Sequence, residues 1–382
     1  MAEITFELNE EQELLRSEVR RFAEERIAPG VAERERTHEF PLAILAEMGE
    51  MGLLGMLVGE SFGGASFDTV SYAVAVEEVA RVCPSVAVTM SVTNSVCAWP
   101  IYRFGSDELR ARVLPSLTSG EKLGAFGLSE PGSGSDAGAL RTTATRDGEF
   151  WVLNGEKAWI TNAGYAGWYL IMAKTDAAAG SRGVSAFVVP ADAPGLAVGQ
   201  PEAKMGLHAS RTAPLMLNNC RVAVANVLGE VGGGFKIALA TLDHSRLGIA
   251  AQAVGIHQRA LELAVAYAKQ RVQFGVPIAR HQAVQFQIAQ MATELEAARA
   301  LTRYAALRES EGDGGRLAAE AKLYASEAAN RACYASLQIH GGNGFSAEYE
   351  ISRLYRDVRV TTIYEGTSEM QRLVTARHLL RG

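Results

Sequence analysis

Val284-Gln285-Phe286-Gln287-Ile288-Ala289-Gln290-Met291-Ala292-Thr293-Glu294-Leu295 opens a run in which Val284, Ile288, Met291, Leu295, Ala298, Thr302 and Ala305 recur at alternating spacings of four and three residues. Residues so spaced share one helical face, and a sustained stripe of this kind is the seam of a helix bundle. Gly312-Asp313-Gly314-Gly315 then makes a tight connection, so the next helix is expected to run antiparallel. The helical period extends over the region from Phe235 to Leu380.

Upstream the pattern changes. Between Gly124 and Gly229, runs such as Trp168-Tyr169-Leu170-Ile171-Met172 and Ala186-Phe187-Val188-Val189 are short, rich in β-formers and bounded by Gly, Asp and Pro. They predict a small barrel or sandwich. Before Arg112 the chain reads helical again. Asn9 with Gln12 is a capping-box signal, Leu15, Val19 and Phe22 follow at helical spacing, and Pro29-Gly30 is expected to stop that helix. The expected organisation is an N-terminal helical domain over 1–120, a middle β-barrel over 121–230 and a C-terminal four-helix bundle over 231–382.

A chain of 382 residues fits two or three such domains. The formal net charge of -6 argues against nonspecific nucleic-acid binding, which needs a basic face. No apolar run reaches the ~18 residues of a membrane span. The opening Met1-Ala2-Glu3-Ile4-Thr5 has no basic region before an apolar stretch, so no secretory signal is expected. A cytoplasmic protein, or a mitochondrial matrix protein in mature form, is the expected setting. Cys83, Cys97, Cys220 and Cys333 form no metal-ligand pattern and read as buried thiols.

Four segments carry candidate chemistry. Phe126-Gly127-Leu128-Ser129-Glu130-Pro131-Gly132-Ser133-Gly134-Ser135-Asp136 has the small residues that let backbone approach a ligand, although a plain connector looks the same. In Asn154-Gly155-Glu156-Lys157-Ala158-Trp159-Ile160-Thr161, Asn-Gly reads as a hairpin turn. Period-two alternation then puts Trp159 and Thr161 on one face, either for a flat heteroaromatic ligand or as core filling. Asp243-His244-Ser245-Arg246 sets an arginine on an apolar helix, where it binds an anion or a structural partner. Finally, Gln338-Ile339-His340-Gly341-Gly342 ends a helix, and Tyr364-Glu365-Gly366-Thr367-Ser368-Glu369 begins another. Thr367 or Ser368 is the expected cap, and Glu365, taken alone at that loop–helix junction, reads as a solvated cap residue.

In this order these segments, together with Arg271-Val272-Gln273-Phe274-Gly275, resemble the acyl-CoA dehydrogenase family over essentially the whole chain, and most closely its short-chain (butyryl-CoA) subgroup. The resemblance implies FAD-dependent conversion of a short-chain acyl-CoA to the trans-2-enoyl-CoA. Glu365 would take the α-proton while a hydride leaves the β-carbon. Phe126, Leu128, Ser129, Gly134, Ser135, Trp159, Ile160 and Thr161 would bind FAD. Arg271, Phe274, Gln282, Gln338, Gly341 and Gly342 would hold its dinucleotide part from a neighbouring subunit of a homotetramer, a dimer of dimers. Thr367, Ser368 and Glu369 would cap its phosphates. Ser135, Asp243, Arg246 and Gly366 would contact the thioester substrate, and an electron-transfer flavoprotein would accept the electrons. A family branch carries its base one residue before Arg246, where this chain has Ser245. Family members often have Arg at the position of His208 and Pro at that of Ala223, and no role is assigned to His208. A branched short-chain substrate, an oxidase-like flavoprotein and a non-catalytic flavin- or CoA-binding subunit are the alternatives.

Overall fold

The computed structural model describes residues 7–309 and 311–380. Met1–Thr5, read above for a targeting signal, lie outside the described residues. The amino-terminal part contains α1 (Glu10–Phe22), α2 (Val31–Thr37), α3 (Leu42–Glu50), α4 (Thr69–Val82), α5 (Pro84–Ser91), α6 (Trp99–Phe104) and α7 (Asp107–Thr118). The expected capping box is formed: Asn9 Oδ1 accepts from the Gln12 N–H at 2.8 Å and Gln12 Oε1 from the Asn9 N–H at 3.2 Å. Pro29-Gly30 does not end the helical path. α1 gives way at Phe22 to a π-turn, and Pro29 then sits in a 3-10 turn that leads directly into α2. Proline is tolerated in a first turn because the N–H it lacks has no intrahelical partner there.

The middle part is one mixed sheet of β1 (Leu123–Gly127), β2 (Thr143–Asp147), β3 (Phe150–Thr161), β4 (Ala166–Lys174), β5 (Val184–Pro190), β6 (Leu196–Val198), β7 (Thr212–Ala223) and β8 (Val227–Leu228). The order is β6-β7-β3-β2-β4-β5-β8, with β1 also on β4. Asn154-Gly155 is not a hairpin turn. It lies inside β3, where the pairing with β7 shifts register between Leu153 and Gly155. Gly155 has φ 151°, and a Cβ there would meet Thr142 Oγ1 at 2.5 Å, so the dipeptide serves a bulge pressed against β2's approach rather than a turn. A second shift, between Lys157 and Ile160, brackets Trp159 and interrupts the strict alternation assumed above.

The carboxy-terminal part is built from α8 (Gly234–Gln270), α9 (Gln282–Leu307), α10 (Gly314–His340), α11 (Glu350–Val358) and α12 (Ser368–Leu379). Met291, Leu295, Ala298 and Ala305 of the seam are buried with Leu247, Val254 and Ile256 of α8 and the alanine face of α10. α8 joins the bundle to the sheet: its first residue, Gly234, sits so close to β5 that a Cβ would meet the Ser185 carbonyl carbon at 2.3 Å. Further along, Gly248 leaves room for Tyr72 and Ser91, whose oxygens bond at 2.8 Å. α8 thereby carries Asp243–Arg246 to the place where sheet, amino-terminal helices and bundle meet. All four cysteines are buried and unpaired, as their spacing suggested.

Candidate active site

Glu365 follows Tyr364 in the short connection before α12, with left-handed backbone at φ 51° and Gly366 after it at φ 94°. Such a conformation costs a non-glycine residue energy and persists only where neighbours impose it. The neighbours are identifiable. Gln371 Nε2 donates to the carbonyls of Glu365 at 3.2 Å and Gly366 at 2.8 Å, and Lys322 Nζ donates to the Gly366 carbonyl at 2.7 Å. Thr367 caps α12, accepting from the Met370 N–H at 3.4 Å, and Ser368 Oγ donates to Glu327 at 2.6 Å. Among the described residues the Glu365 N–H makes no hydrogen bond. The residue is half-buried, but its Oε2 is sealed from solvent and has no partner. Burial pushes the carboxyl up to about 7, with Ser245, Lys322 and Arg246 pulling it back. Glu365 is therefore not the solvated cap residue that the sequence alone suggested.

Arg246 lies beside it on α8, 5% exposed, paired with Asp243 and with its Nε buried and unpartnered. The half-exposed Asp243 and the buried Arg246 present paired charge at a site edge, suited to a polar ligand chain. Below them Val88, Val92, Val96 and Leu207 form a separate apolar cluster with Phe126, Val360 and Tyr364. It is closed by Gln252, fully buried, which accepts from the Tyr364 hydroxyl and donates to the Pro84 carbonyl at 2.9 Å.

The Phe126–Asp136 segment leaves β1 and lies against β3. Ser129 O accepts from the Ala158 N–H at 2.9 Å, and Lys157 Nζ donates to Leu128 O at 3.2 Å and Glu130 Oε1 at 2.7 Å. Gly132 and Gly134 face open space, Ser135 is exposed, and Trp159 stands 63% exposed with φ 61° next to buried Ile160 and half-buried Thr161. A bulge that turns an indole outward beside an open glycine loop is a platform for a flat ring system. Arg271, Phe274, Gln282, Gln338, Gly341 and Gly342 are grouped elsewhere. Arg271 is 25 residues beyond Arg246 on the same helix axis, about 37 Å at 1.5 Å per residue. All six are exposed, Phe274 at 93%. Asn343 Nδ2 bonds the Tyr267 hydroxyl at 2.9 Å and His340 stacks on Tyr267, which places the Gly341–Phe345 turn beside the end of α8 that leads into Arg271.

Family models match three consecutive stretches: "Acyl-CoA dehydrogenase, N-terminal domain" over residues 9–121, the middle domain over 125–220 and the C-terminal domain over 232–380. The chain belongs to the acyl-CoA dehydrogenase family. Human mitochondrial short-chain specific acyl-CoA dehydrogenase is 50% identical over 376 residues, 98% of this chain and 91% of the human protein. The butyryl-CoA dehydrogenase structure from Megasphaera elsdenii superposes with a TM-score of 0.97 at 42% identity, covering 99% of this chain and 100% of that one. A structure described as the electron transferring flavoprotein of Acidaminococcus fermentans has a chain matching at TM-score 0.98 and 43% identity, over 99% and 100% of the two chains.

Within this acyl-CoA dehydrogenase fold, several site residues were not anticipated from sequence: Lys322, Gln371 and Gln252. Lys322 and Gln252 are polar residues on otherwise apolar helical faces, and that mismatch was the available signal. His244 is another. It is buried, bonds Glu309 Oε1 through Nδ1 at 2.5 Å and stacks on Trp99 at 4.3 Å.

Proposed function

We propose that this chain dehydrogenates a short-chain acyl-CoA to the trans-2-enoyl-CoA with FAD as cofactor, Glu365 removing the α-proton. The observation that carries the reading is the solvent-sealed, unpartnered Oε2 of Glu365, on a left-handed loop whose own N–H makes no hydrogen bond among the described residues. An α-hydrogen of a thioester is a weak acid, so its removal needs a strengthened base and donors at the carbonyl oxygen where charge develops. Burial strengthens Glu365, and its N–H is available to that oxygen. FAD, when bound, would supply the acceptor for the hydride that leaves the β-carbon. The residues present suit this cofactor: exposed Gly134, Ser135 and Trp159 with half-buried Phe126, Ser129 and Thr161 form the open platform, Leu128 and Ile160 are buried in the core behind it, and Thr367, Ser368 and Glu369 open a helix whose N-terminus favours phosphate. Ser135, Asp243, Arg246 and Gly366 hold the CoA thioester. The apolar cluster of Val88, Val92 and Val96, closed by buried Gln252 and Tyr364, supports a short acyl group.

The same reading includes a homotetramer, a dimer of dimers, in which Arg271, Phe274, Gln282, Gln338, Gly341 and Gly342 hold the dinucleotide half of a neighbour's FAD. The distance of Arg271 from Arg246 along α8 and the exposure of all six residues support it, as does the exposure of Phe286 (64%) and Phe345 (90%) on the bundle. Arg271→Glu should therefore lower flavin content at least tenfold without changing the unfolding midpoint of the apoprotein; retained flavin would remove Arg271 from the cofactor site. An electron-transfer flavoprotein is the proposed acceptor.

The deciding experiment records the visible spectrum and then adds butyryl-CoA without oxygen. A yellow protein that bleaches at once is the expected outcome. A yellow protein that stays oxidised moves the substrate to branched or longer acyl groups. A colourless protein that cannot be reconstituted with FAD overturns the proposal.

A further inference from the structure

Lys322 is fully buried on α10 among Ala318, Ala319, Ala321 and Ala325, a face otherwise made for close helix packing. An ammonium in such surroundings costs energy unless something compensates it. Its hydrogen bond runs to the carbonyl of Gly366, in the turn that holds Glu365. Gln371, a neutral side chain, already donates to that same carbonyl and to the one before it. Hydrogen bonding alone therefore does not call for a cation here; what lysine adds is charge, one residue from the base.

We infer that Lys322 is a positioning residue that pins the Glu365–Gly366 turn and, through its charge, sets the pH above which Glu365 works as a base. The inference rests on the reading of Glu365 as the base. The charged and titratable groups around the pair can be named from each packed element. Glu365 faces Ser245 and Arg246 from α8, Lys322 from α10, Tyr72 from α4 and its neighbour Tyr364. Lys322 faces Glu365, Arg246 from α8, Glu327 from α10 and Glu369 from α12. Burial lowers the lysine to about 8, with Glu365 pulling it back up, so it is a cation at neutral pH. Burial raises Glu365 to about 7, and the nearby cations limit that rise. A base acts above its pKa and is lost as pH falls through it. Removing the cation raises the carboxyl further and moves the acid limb of the rate profile upward.

The test uses FAD-loaded protein and the pH dependence of anaerobic flavin bleaching by butyryl-CoA, with flavin content and unfolding midpoint as controls. Lys322→Gln keeps a donor for the Gly366 carbonyl without the charge; Lys322→Arg keeps the charge; Lys322→Met keeps neither. Expected are an acid limb about one pH unit higher for Lys322→Gln and Lys322→Met, near-native behaviour for Lys322→Arg, and an unchanged KM. At pH 6 that shift reads as about a tenfold loss of rate, vanishing at pH 9. If Lys322→Met does not fold, the Gln and Arg variants decide the matter between them. An acid limb that stays in place in Lys322→Gln, whether the rate is native or uniformly lowered, overturns the inference. Glu365→Gln run alongside keeps the two readings apart: an active Glu365→Gln enzyme sinks the base assignment, whereas an inactive one with an unmoved limb in Lys322→Gln sinks the role of Lys322 alone.

Discussion

Glu365→Gln protein remains yellow and binds butyryl-CoA, but anaerobic bleaching of its flavin slows by at least about 10²–10⁴-fold, the usual contribution of a positioned general base. The amide is nearly isosteric, so the left-handed turn and its bonds to Gln371 and Lys322 persist; what is lost is the capacity to take a proton. Turnover at the native rate would end the assignment. The same substitution has a stability consequence of opposite sign. The folded pKa of Glu365 is raised to about 7, above its ordinary value. Below about pH 4.5 the carboxyl is protonated in folded and unfolded chains alike and contributes no difference. As pH rises from there toward 7, the unfolded chain ionises first, and the folded state loses stability. Above pH 7 the full cost is present, on the order of 3 kcal/mol for a shift of this size. Glu365→Gln is therefore more stable than the native protein at pH 8, with an advantage that disappears toward pH 4.5. Denaturant unfolding at the two pH values, with FAD saturating in both proteins, measures it. An advantage of equal size at both values would mean that ionisation is not its source.

What the sequence discloses here depends on how far apart the deciding partners lie. The seam from Val284 to Ala305 and the capping box of Asn9 and Gln12 are local patterns, set by helical geometry within a few residues, and the structure repeats them. Thr367 as a helix cap is local in the same sense. Asn154-Gly155 is also local, yet its chemistry suits a tight turn and a bulge equally. Thr142, pressed against Gly155, and the pairing with β7 decide the outcome, and neither is visible from the dipeptide. Lys322 reads as an ordinary helix residue because its acceptor, Gly366, is 44 positions away. Gln252 and Tyr364 are 112 apart. His208 is likewise opaque in sequence. Folded, its Nδ1 lies 3.0 Å from Glu35 Oε1, a carboxylate that Arg356 also binds at 2.6 Å, and its ring stacks on His38 at 4.4 Å. The imidazole thus stands at a carboxylate where a family arginine would also find a partner. For the site itself, the family motifs marked the loops that carry Glu365 and Trp159 but left unread the buried side chains that hold those loops in shape.

Lys157→Met tests the cofactor half of the site in the same way and should be the most damaging single change outside the base. Lys157 is fully buried in β3, two residues before the outward-facing Trp159. Its ammonium bridges Glu130 Oε1 at 2.7 Å and the Leu128 carbonyl at 3.2 Å, both in the glycine-rich segment. Burial lowers the lysine to about 8, with Glu130 pulling it back, so the pair is ionised at neutral pH. Glu130 in turn accepts from the Arg141 N–H at 2.6 Å, the Thr142 N–H at 2.9 Å and Thr142 Oγ1 at 2.6 Å. One ion pair therefore joins three stretches of chain: the glycine loop, the approach to β2, and the bulge of β3. Methionine fills the volume but leaves a buried carboxylate without its counter-charge and the Leu128 carbonyl without a donor. Breaking a buried pair from one side costs about 3–5 kcal/mol. Replacing both partners by apolar residues is often neutral elsewhere, but not here, because Glu130→Leu would also orphan the two backbone N–H groups it accepts from. Lys157→Met/Glu130→Leu should therefore recover none of the lost stability. Because the two platform segments lose their common anchor, Lys157→Met should also release FAD, with flavin fluorescence reporting a dissociation constant at least tenfold higher at a temperature where the fold is intact. A variant that is destabilised yet keeps native flavin affinity would show that the pair holds the sheet together without shaping the platform, and a variant native in both respects would mean that Glu130 is held well enough by Thr142 and the Arg141 N–H alone.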